Sequence, residues 1–150
     1  QTREVIYLST WAQEARLIAE QLKAAHQRGV KLYIFSFCKL PFDFGVQYTY
    51  DLEDAHRKFP NRRITGVFDR QLLIMGEGNE SIEEIGISTE NPMLMEMAID
   101  QMLMDLILHR TLSHFGYLEG VSRVSDYTCE VDRFFTDIAM YTDIPKRLDE

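Results

Sequence analysis

The sequence predicts an α/β domain built on a mixed β-sheet. Three observations carry that expectation. A strand, an amphipathic helix and a second strand follow one another in the first 37 residues. Three further strand-like runs come separated by turn residues, and a long helix then opens at Asn91-Pro92.

Val5-Ile6-Tyr7-Leu8 is a β-branched and aromatic run that stops at Ser9-Thr10, two residues suited to cap a helix, with Glu14 placed to support its first turn. Leu17, Ile18, Gln21, Leu22 and Ala25 keep a 3.6-residue stripe, and Gly29 ends the helix. Val30 to Phe35 is the second strand, running into Ser36-Phe37-Cys38. The unit from Val5 to Phe37 therefore reads as β-α-β, with two parallel strands and a right-handed crossover.

From Lys39 to Asn61 the periodicity breaks at Pro41, Gly45 and Pro60, with a short helix near Leu52 to Lys58, so this stretch reads as a connection across the fold. Arg63 to Phe68, Gln71 to Met75 and Glu84 to Ser88 are the next strands. Asp69-Arg70 makes a tight turn between the first two, and Gly76 to Asn79 a looser one between the second and third, giving an antiparallel meander.

The long helix runs from Pro92 to about Phe115, with Pro at its first position and Ser88, Thr89 or Asn91 as cap. It is apolar on two sides. Met95, Ile99, Met102 and Leu106 form one stripe, Met93, Met97, Met104 and Leu108 the other, and Gln101, Asp105 and His109 lie on a flank between them. One stripe belongs on the sheet; the other needs a helix or a second subunit. A last helix, capped by Ser125-Asp126, aligns Tyr127, Val131, Phe134, Phe135 and Ile138 before Pro145 and a charged tail. It covers the second stripe within the chain or joins a dimer interface. Met93, Met97, Met104, Leu108, Phe134 and Phe135 are the candidate interface residues.

At 150 residues and 45% hydrophobic composition, the chain fits one domain, residues 1–150, with a core at about 4–115 and a helical extension at about 116–150. It has no apolar run of bilayer length and no signal-peptide pattern, and its two cysteines, Cys38 and Cys129, fit neither a disulfide framework nor a zinc site. A reducing cytoplasm and no membrane partner are expected. The net charge of -8 would repel a phosphate backbone, so this domain alone should not grip DNA. Its start, almost directly in a strand and without an initiator Met, reads as the start of a domain cut from a longer protein.

Little in the sequence supports catalysis. His26, His56, His109 and His114 fall in or near helices or in the irregular segment, with no nucleophile-base pairing, and there is no HExxH or phosphate-binding glycine loop. No catalytic residue, cofactor or metal is expected. Two strand-to-helix junctions suit ligand binding instead: Ser9-Thr10-Trp11, near Ser36 and Phe37, and Ser88-Thr89-Glu90-Asn91. If their strands are neighbours running the same way, hydroxyls, an amide, a carboxylate and an aromatic face converge, a mixture suited to a polyhydroxylated molecule. The same residues serve equally as helix caps and packing.

A strand into STWAQE, a helix ending RGVKLYIF, then TGVFDRQLLIMGEG and IGISTENPMLMEMAID together resemble the effector domain of TrmB-like, sugar-responsive transcription regulators. That domain is itself similar to half of a phospholipase D fold. The likeness spans roughly Val5 to Leu112. It implies a homodimer that senses a small effector, with DNA reached only through an upstream winged helix. A phospholipase D catalyst needs H-x-K-x4-D, whereas Thr65 to Gln71 carries neither His nor Lys, so the resemblance implies a catalytically empty scaffold. Family members also carry a further β-rich segment that completes the sugar pocket, which this chain lacks. A purely structural dimerisation module and a phospholipase D-type phosphodiesterase are the alternatives.

Overall fold

The computed structural model describes residues 2–58, 62–79 and 82–142. Its strands are β1 (Val5–Ser9), β2 (Lys31–Ser36), β3 (Val46–Thr49), β4 (Arg62–Phe68), β5 (Leu72–Asn79) and β6 (Ile82–Thr89). Its helices are α1 (Ala12–Leu17), α2 (Ala19–Gln27), α3 (Ala55–Lys58), α4 (Pro92–His114) and α5 (Val124–Thr142). The sheet order is β3-β2-β1-β4-β5-β6. β1, β2 and β3 are parallel, and β4, β5 and β6 continue from β1 as an antiparallel meander. The mixed sheet, the β-α-β unit, the meander and the long helix are thus as the sequence predicts. Pro60 and Pro145 lie outside the described residues.

Alternation along the strands assigns the two faces. Ile6, Leu8, Leu32 and Ile34 point to one side and pack with Ala15, Leu22 and Ala25 of α1 and α2. Val67 and Leu73, with Tyr7 beside them, point to the other and meet Met95, Ile99 and Met102 of α4. A third cluster sits beyond the carboxyl ends of β1 and β2, where Trp11, Phe35, Tyr50, Leu52 and Ala55 receive Val124 at the start of α5.

Several local expectations are corrected. The first helix is two helices meeting at Ile18, whose backbone leaves the α region at φ −111°, ψ 6°. The buried stripe is Ala15, Ile18, Leu22 and Ala25, and Leu17 is thrown outward at 80% exposure. Ser9 and Thr10 do not cap it. Ser9 ends β1, and the N-cap position is Trp11, which makes no side-chain cap. Within the supposed connection, Val46–Thr49 forms an edge strand too short to show alternation. Gly45 precedes it at φ +81°, where a Cβ would come 3.0 Å from Leu32 Cβ. Gly76 to Asn79 is strand rather than turn, since Gly76 pairs with both Ile64 and Gly86. At α5 the predicted caps Ser125 and Asp126 lie inside the first turn; the Val124 amide donates instead to Asp54 Oδ1 at 2.7 Å.

Asp69-Arg70 is a two-residue turn with both residues at positive φ, 51° and 53°. Asp69 also anchors the chain start. Its carboxylate accepts from the amides of Arg3, Glu4 and Val5 at 2.8–2.9 Å.

Candidate functional site

The two predicted binding junctions do not converge. β4 and β5 stand between β1 and β6, and β6 runs opposite to β1, so Thr89 lies level with Tyr7 rather than beyond Ser9. Ser88, Thr89, Glu90 and Asn91 therefore sit toward the end of the sheet where β1 begins.

Most of these residues have local structural duties. Thr10 is buried, its amide donating to Phe35 O and its hydroxyl to Trp11 O. Trp11 is only 8% exposed and tilts against Phe37, so no sugar ring can stack on it in this conformation. Ser36 is buried, and its Oγ accepts from the Cys38 amide. Asn91 is the α4 cap, accepting from Met93 and Leu94 amides at 3.0 and 3.3 Å, and Thr89 Oγ1 accepts in turn from the Asn91 amide. Ser88 and Glu90 are exposed.

Ser9 has a different place. It lines a groove of about 360 Å³ between α4 and the outer strands, with Thr65, Leu73, Met75, Ile87, Leu94, Met97, Ala98, Gln101, Met102 and Asp105. Ser9 and Thr65 face each other across β1 and β4, and Thr65, Met75 and Ile87 continue that row outward. On α4, Leu94, Met97 and Ala98 come before Gln101 and Asp105, which are joined by a 3.3 Å hydrogen bond from Nε2 to Oδ1. The groove is thus polar at its inner end and apolar at its outer end. Burial pushes the Asp105 carboxyl above its ordinary value, and the Gln101 hydrogen bond only partly offsets this. In the sequence, Gln101 and Asp105 lie on a polar flank of the helix between its two apolar stripes. Their i, i+4 spacing beside a buried stripe was the signal available.

One turn further along, His109 is part-buried. Its Nε2 donates to Thr49 O at 3.0 Å, and its ring meets Tyr50 edge to face. Nδ1 has no partner among the described residues. Tyr50 is held above the ordinary phenol range by burial and by the Tyr127 hydroxyl.

The phospholipase D motif can be placed on β4. Counted back from Asp69, its Lys position falls on Ile64 and its His position on Arg62. Arg62 Nε sits 2.7 Å from Glu14 Oε1 in an ion pair whose side chains are each about one-fifth exposed. A guanidinium fixed on a carboxylate is always charged and is no nucleophile. Ile64 packs against the α1/α2 core. Burial holds the Cys38 thiol above its ordinary value despite a hydrogen bond from the Ala12 backbone. Among the described residues no cluster of His, Cys, Asp or Glu could hold a metal ion, and no helix is long and apolar enough to cross a membrane.

Of the predicted interface residues, Met93, Met97 and Met104 are 66%, 62% and 60% exposed, and Phe135 is also open. Leu108 is half-buried. Phe134 is a correction: it is buried within the chain, its ring against Phe115, Tyr117 and Phe135. The last helix therefore packs on its own domain through that residue and leaves the methionine stripe uncovered.

No protein-family model matches the chain, and no curated protein does either. Among solved structures, NucT from Helicobacter pylori is similar, with a TM-score of 0.53 at 15% identity over 70% of this chain and 80% of that one. With the six-stranded mixed sheet described above, this likeness shows that the chain has a phospholipase D-like fold.

Proposed function

We propose that this domain is a non-catalytic, homodimerising regulatory module of a TrmB-like transcription regulator, in which a phospholipase D-like scaffold has been turned from hydrolysis to effector sensing. The observation that carries the reading is the open methionine stripe of α4. Met93, Met97 and Met104, with exposed Leu94, Leu103 and Ile107 on the same helix, present apolar side chains to water, as interaction surfaces do. A two-fold pairing covers such a patch with its own copy, and Met side chains repack readily when two such surfaces shift. The negative charge supports a division of labour in which a winged-helix module elsewhere in the polypeptide holds DNA.

Sedimentation equilibrium tests the dimer. The domain is expected at twice the monomer mass, and Met97→Glu with Met104→Glu at the monomer mass with unchanged circular dichroism; a wild-type monomer at all concentrations overturns it. The likeness to NucT keeps a phosphodiesterase as the second reading. Against it stand Arg62 and Ile64 at the motif positions. Turnover of bis(p-nitrophenyl) phosphate that disappears in Arg62→Ala or Glu14→Gln would establish the enzyme; no turnover is expected.

A further inference from the structure

The groove beside α4 is shaped for one class of ligand. Its outer half is made of Met75, Ile87, Leu94 and Met97, and its inner half of Ser9, Thr65, Gln101 and Asp105. A cavity of about 360 Å³ lies within the ~300–1,000 Å³ typical of small-molecule sites. Among the described residues that line it, Asp105 is the one ionisable group, and none of them is Lys, Arg or His. An anionic ligand would meet uncompensated repulsion, and a neutral apolar one would leave the carboxylate desolvated without a partner. A ligand that brings both a cation and a short apolar chain satisfies both halves.

We propose that this groove binds a small amphipathic amine, its ammonium donating to the Asp105 carboxylate and the Gln101 Oε1, with Ser9 and Thr65 hydroxyls at hand, and its aliphatic part lying along Met97, Leu94, Met75 and Ile87. A charge-assisted hydrogen bond at the inner end fixes orientation. The adaptable methionines accept chains of differing width. The inference deepens the sensing half of the regulatory reading. Met97 belongs to both the groove and the open stripe, so occupancy and self-association would be coupled through one side chain.

The test uses the whole domain labelled at its methionine methyls and titrated with hexylammonium, hexanol and hexanoate. Saturable shifts at Met75, Met97 and Met102 are expected with hexylammonium, binding about fivefold or more tighter than hexanol, with none from hexanoate. Asp105→Asn should bring hexylammonium down to the hexanol level. Ala98→Leu, which narrows the groove and leaves the charge, should weaken both. Equal binding of all three probes, no saturable shift at these methyls, or an ammonium preference that survives Asp105→Asn would each overturn the proposal. Sedimentation of the same samples keeps the two ideas separate: a dimer without ammonium binding removes this ligand and leaves the dimer, and a monomer that binds hexylammonium does the reverse.

Discussion

Two aspartates in this chain have opposite relations to pH. At Asp69 desolvation alone would raise the carboxyl, but the amides of Val5, Arg3 and Glu4 outweigh it and hold the group below its ordinary value. Stability linked to Asp69 is therefore present above the unfolded-state value and is lost as pH falls through the folded one. Asp69→Ala removes the acceptor for three amides and places a Cβ-bearing residue without a polar side chain at positive φ, so it should cost about 1 kcal/mol or more in chemical denaturation at pH 7. Asp105 runs the other way, since burial raises it. Its contribution is fully present below the unfolded-state value and disappears as pH rises through the folded one. Asp105→Asn should thus raise Tm at pH 7, leave it nearly unchanged at pH 3, and flatten the pH dependence between them. A thermal scan across pH that shows the variant less stable at neutrality would mean the charge is paired in solution.

At the scale of elements, α4 was the most legible part of the sequence. Pro92 and Asn91 announced its start, and its two apolar stripes called for packing on both sides, of which the described chain covers the Met95, Ile99 and Met102 side and leaves Met93, Met97 and Met104 open. The cap is a working one, and Asn91→Ala should lower stability by about 1 kcal/mol, read as an earlier midpoint in urea unfolding. The β-α-β unit and the meander were legible for the same reason, a strong period with turn residues at its ends. The misses have physical causes. β3 is a four-residue edge strand, too short for a period, and it follows Gly45, where a side chain's Cβ would come 3.0 Å from Leu32 Cβ. Gly45→Ala meets both that contact and the cost of positive φ, and should detach the β3 edge, seen as faster amide exchange at Tyr48 and Thr49. The site was less legible than the fold. In the sequence Ser9, Thr10 and Trp11 stand together at a strand end; in the fold Ser9 lines the groove beside α4, whereas Thr10 and Trp11 are buried, Trp11 among Leu52, Ala55 and Val124 from far along the chain. Asp105 gained meaning only once the helix lay on the sheet.

For the whole molecule, the decisive balance lies between the two sides of α4. Its inner stripe is satisfied by Val67 and Leu73, and α5, the only later helix among the described residues, spends Phe134 and Val124 elsewhere. What remains open among the described residues includes the methionines of α4, of which Met97 lines the same groove as the exposed Ile87 of the last strand. Burying apolar surface contributes roughly 25 cal/mol per Å², and that gain is available to the folded chain only through association. Folding and pairing are then linked by mass action, so Tm should rise with protein concentration. Met104→Glu sits on the stripe but does not line the groove, so it should abolish the concentration dependence and lower Tm toward the dilute wild-type value, while leaving Asp105 and its groove intact. Differential scanning calorimetry over a hundredfold concentration range reads this directly. A wild-type Tm independent of concentration across that range would show that the open stripe of α4 is stable in water without a second copy.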